Sequence, residues 1–91
     1  MNHPSITIVI RTPEDCKKAL EKLNAIRDYR KYLYNTIDNE SAQIDVREKL
    51  NQWYIIKYIK AAKELHVEQA QRLYEEMVSL RESILDYIDT L

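Results

Sequence analysis

A chain of ninety-one residues, 45% apolar and 32% charged with a net charge of −1, is bounded to one small domain. It contains no glycine, the usual residue for tight left-handed turns and phosphate-cradling loops, which argues against a nucleotide-binding enzyme. Fourteen Lys and Arg against fifteen Asp and Glu exclude both a whole-molecule basic footprint and an acidic mimic of nucleic acid.

The charge balance shifts along the chain. Residues 11–63 hold twelve bases and eight acids, whereas residues 64–91 hold two bases and seven acids. This pattern suits complementarity within the molecule or between subunits. A lone cysteine, Cys16, rules out an intrachain disulfide framework and fits a reducing compartment. The opening residues lack the basic and apolar runs of a signal peptide, and no stretch has the roughly 20 apolar residues that cross a bilayer. A cytoplasmic protein with no membrane partner is expected.

The first element is Ser5-Ile6-Thr7-Ile8-Val9-Ile10-Arg11. Its period-two alternation of β-branched residues predicts a strand over 5–11, with Ile6, Ile8 and Ile10 on one side and Thr7, Val9 and Arg11 on the other. No second strand is evident to satisfy its amides and carbonyls. The economical partner is the same strand of a second copy, antiparallel across a two-fold axis, making Ile6, Ile8, Val9 and Ile10 the dimer strand. A frayed arm or addition to a target's sheet edge are the alternatives.

Thr12-Pro13-Glu14-Asp15 is a helix start: Thr12 accepts from the Asp15 amide, Pro13 suits the first helical position, and the acids favour the positive end. Cys16, Ala19, Leu23, Ile26, Leu33 and Ile37 then recur at steps of three and four, interrupted at Arg30. A first helix over 13–39 follows. Asp38-Asn39-Glu40-Ser41 is the predicted corner, although no Gly or Pro forces a stop and one continuous helix is the alternative.

A second helix is predicted over 41–65. Ile55, Tyr58, Ile59, Ala62 and Leu65 share one face, with Val46, Leu50 and Trp53 on another. A helix apolar on more than one side is central or meets a second subunit. His66-Val67-Glu68 is the next predicted corner. A third helix over 67–90 follows, with a heptad seam of Ala70, Leu73, Met77, Leu80, Ile84, Tyr87 and Leu91. The expected fold is all-α: three coiled-coil-like helices behind a short N-terminal strand paired across a homodimer.

Chemistry-bearing motifs are sparse. His3 and His66 have no partner at metal-ligand spacing, Cys16 and His66 carry no nucleophile signature, and the serines lack the glycines of an elbow. No catalytic, metal or cofactor residue is assigned. Seven tyrosines and one tryptophan without phenylalanine suit half-wet interfaces. Arg30, Lys31, Tyr32, Tyr34, Trp53, Tyr54, Lys57 and Lys60, where aromatics interleave with bases, are the candidate partner contacts.

The order strand, helix, helix resembles the ribbon–helix–helix repressors, and that resemblance implies Thr7, Val9 and Arg11 facing bases. Within residues 44–77, Ile44-Asp45-x-Arg47-Glu48, Leu65 and Arg72-Leu73-Tyr74 resemble the small all-helical dimeric chorismate mutases. Leu85 stands where that family has a late glutamine, and Pro13 falls in what should be an unbroken first helix. The expectation is a non-catalytic homodimeric module that binds another protein, with a DNA-binding regulator second and a small helical enzyme third.

Overall fold

The computed structural model describes residues 9–91 and is an antiparallel hairpin of two helices of equal length, α1 (Pro13–Lys49) and α2 (Trp53–Asp89). Each has 37 residues, and the molecule measures 60 × 27 × 15 Å. It is all-helical, and no helix among the described residues is long and apolar enough to cross a membrane.

The start of α1 follows from its first residues. The Thr12 hydroxyl accepts from the Asp15 amide at 3.1 Å, and Pro13 occupies the first turn beside Glu14 and Asp15. The Arg11 amide donates back to the Asp15 carboxylate at 3.2 Å. These reciprocal bonds satisfy donors that the helix itself leaves open.

Ile6 and Ile8 of the predicted strand lie outside the described residues. Within them, Val9, Ile10 and Arg11 form no strand. Ile10 instead packs against the core cluster of Ala19, Ile26, Leu80 and Ile84, while Val9 stays exposed. A ladder needs a second backbone; here Ile10 closes the open end of the hairpin.

Neither predicted corner breaks a helix, so the three helices over 13–39, 41–65 and 67–90 are replaced by two. The reason is phase. The three-four stripe of α1 runs through residues 38–41 without a shift, from Leu33 and Ile37 to the buried Ile44. That of α2 runs through residues 66–68 in the same way, from Ile56 and Ile59 to Ala70 and Leu73. Helices whose apolar rows keep phase can pack along their whole length. The buried side chains Ala19, Ile26, Leu33, Ile44, Ile56, Ala70, Leu80 and Ile84 all lie on these rows. Leu91, predicted to end the seam, lies beyond α2 and is exposed, so the seam stops at the half-buried Tyr87.

The reversal falls inside the predicted second helix, at Leu50-Asn51-Gln52. The Gln52 amide donates to the Arg47 carbonyl at 2.9 Å and the Asn51 amide to the Glu48 carbonyl at 3.1 Å. This is the paired-bond helix ending that requires a left-handed residue, and Asn51 supplies it with φ of 58°. Asparagine is the side chain best suited to that conformation when glycine is absent. The Arg47 guanidinium donates to the Gln52 side-chain carbonyl at 2.7 Å, tying the end of α1 to the start of α2.

Asn51→Ala is expected to lower stability by about 1 kcal/mol and Asn51→Gly to leave it equal or higher. Urea unfolding followed by circular dichroism reads both, and identical midpoints for all three chains would rule out the left-handed residue as a determinant. Leu33→Ala, at the most buried position of α1, should cost about 3 kcal/mol in the same measurement.

Candidate interaction face

Polar residues in the seam set how the helices align. Glu40 and His66, one residue from each predicted corner, face each other: His66 Nδ1 lies 2.8 and 3.0 Å from the two carboxylate oxygens. Both are largely shielded from solvent. The runs that look like two breaks in the chain are therefore the two sides of one polar layer.

Arg30 forms the other interruption, opposite the small buried Ala70. Its Nε donates to the Ala70 carbonyl at 3.1 Å and a terminal nitrogen donates to the Tyr34 hydroxyl. The guanidinium carbon lies 5.1 Å from the ring centroids of both Tyr34 and Tyr74. An always-charged group is held here by a carbonyl and two aromatic faces.

These contacts identify the two flanks of the hairpin. One carries Tyr34 of α1 and Tyr74 of α2, with Arg30 between them. The other is marked by the Lys22–Glu76 ion pair at 3.1 Å and by Gln69, whose side-chain amide donates to the Tyr29 hydroxyl at 3.2 Å. The Tyr32 ring stacks on Tyr29 with centroids 5.9 Å apart.

Followed toward the turn at three-four spacing, this second flank carries a row of uncharged side chains. On α1 it continues from Tyr29 and Tyr32 through Thr36, Asn39, Gln43 and Val46 to Leu50; Asn39, Gln43, Val46 and Leu50 line one shallow groove. On α2 it comprises Ile55, Tyr58, Ala62, Leu65 and Gln69. These positions carry no Asp, Glu, Lys or Arg, although Arg47 lines the same groove, Asp28 falls on the same side of α1 beside Tyr29, and the Lys57 ammonium lies over the Tyr58 ring. Large apolar groups on it are open to solvent: Tyr32 is 62% exposed, Val46 55%, Leu50 60%, Tyr58 68% and Leu65 65%. Charge depletion with aromatic enrichment is the composition of an interface centre.

The predicted partner contacts do not form one surface. Tyr32 belongs to the flank with the uncharged row. Tyr34 lies on the opposite one, and Arg30 is occupied inside the seam. Lys31 is exposed on α1, and Trp53, Tyr54, Lys57 and Lys60 are exposed near the turn. Trp53 and Lys60, seven residues apart, fall in line with Tyr74 on the Tyr34 flank. Lys57 sits over the Tyr58 ring, 5.0 Å from its centroid. Ala70, Leu80 and Ile84 are buried against α1, with Leu73 and Met77 packed on the same cluster.

Sequence reasoning separated a row of Ile55, Tyr58, Ile59, Ala62 and Leu65 from one of Val46, Leu50 and Trp53 but placed both on one helix; Ile59 belongs to the seam and Trp53 to the Tyr34 flank. It missed Tyr29, Asn39 and Gln43, whose signal is the absence of charge at three-four spacing. Among the described residues no cluster of His, Cys, Asp and Glu is arranged to hold a metal ion. Compared with protein-family models, curated proteins and solved structures, the chain matches none.

Replacing both members of the seam pair, Glu40→Leu with His66→Leu, is expected not to lower stability, since a half-buried polar pair gains little over apolar side chains at seam positions. His66→Leu alone should destabilise by stranding the carboxylate. A double variant that unfolds at lower urea than wild type would show that the pair is net stabilising.

Proposed function

We propose that this protein is a non-catalytic helical interaction module, a regulator, adaptor or inhibitor that presents a pre-formed surface to another protein. The observation that carries this reading is the tyrosine-bearing face running from Tyr29 to Leu50 on α1 and from Ile55 to Gln69 on α2, on which Tyr32, Val46, Leu50, Tyr58 and Leu65 stand exposed. Exposed apolar side chains are costly to leave in water over so long a stretch. A rigid two-helix rod has little order left to gain on binding, so contact made by this face retains most of its energy.

The face also bears on the rival reading of nucleic-acid binding, because a phosphate-facing surface is built from Lys and Arg. Of the lysines near the turn, Lys60 lies off it, and the Lys57 ammonium is held over the Tyr58 ring. A protein partner captured from the native host should therefore stay bound as salt rises from about 50 to about 200 mM, a range over which contacts to several phosphates weaken about 10³-fold or more. Capture with wild type and with Leu65→Lys, identified by mass spectrometry, tests the reading directly. The variant should lose the partner while keeping its helicity; an unchanged set of captured proteins would overturn the assignment of this face.

A further inference from the structure

We draw no further inference here: the strongest candidate, the exposed aromatic and apolar patch at the turn end of the hairpin where Leu50, Trp53, Tyr54 and Tyr58 adjoin the tyrosine-bearing face, carries none, because the charges around it are of both signs and nothing in the structure shows what covers it.

Discussion

The hairpin depends on one constraint: two 37-residue helices must keep their apolar rows in phase over their full length, because among the described residues each packs chiefly against the other. Helices are only marginally stable in isolation, and in proteins most of their stability comes from packing one amphipathic side. Here that packing is a single seam from Cys16 to Ile44 on α1 and from Ile56 to Tyr87 on α2. The capping at Thr12, the reversal at Asn51 and the polar layers are arranged around it.

The polar layers show how such a seam selects one alignment. Arg30 fits where it does because Ala70 is small and Tyr34 and Tyr74 offer their ring faces. Glu40 and His66 satisfy each other only in this alignment. Sliding one helix by a heptad would put Glu40 against an apolar row position and leave His66 without its carboxylate. Half-buried polar groups at a seam of this kind contribute little net stability and exclude alternatives.

Much of the helical content was legible in the amino-acid sequence, and the errors share one cause. Thr12-Pro13 marked the start of α1, and the spacing from Cys16 to Ile37 marked its inner side. Polar clusters at 38–41 and 66–68 were interpreted as corners because local composition favours turns there; partners across the seam override it, and those partners lie 26 residues apart in the chain. The true reversal carried a fainter signal, a single asparagine after two basic residues, Arg47 and Lys49. Its better clue was the two-sided appearance of residues 41–65: two helices of different phase had been projected onto one wheel. The strand inference failed at Val9, Ile10 and Arg11 because β-branched alternation also suits a segment that tucks one side chain, Ile10, against a helical core. The tyrosine-bearing face was only half visible, since joining its α1 and α2 portions requires knowing where the chain turns back.

That change of phase at the turn has a mechanical consequence. If Leu50-Asn51-Gln52 straightened and α1 ran on into α2, the apolar row of the second half would begin two residues ahead of the continuing row of the first. Two residues of helix amount to about 200° of rotation, so the two rows would point to nearly opposite sides of one long rod. Two such rods could not exchange halves edge to edge along a common line, and the bent form is the geometry in which each chain closes its own seam. The offset thus disfavours a swapped dimer closed along one straight seam.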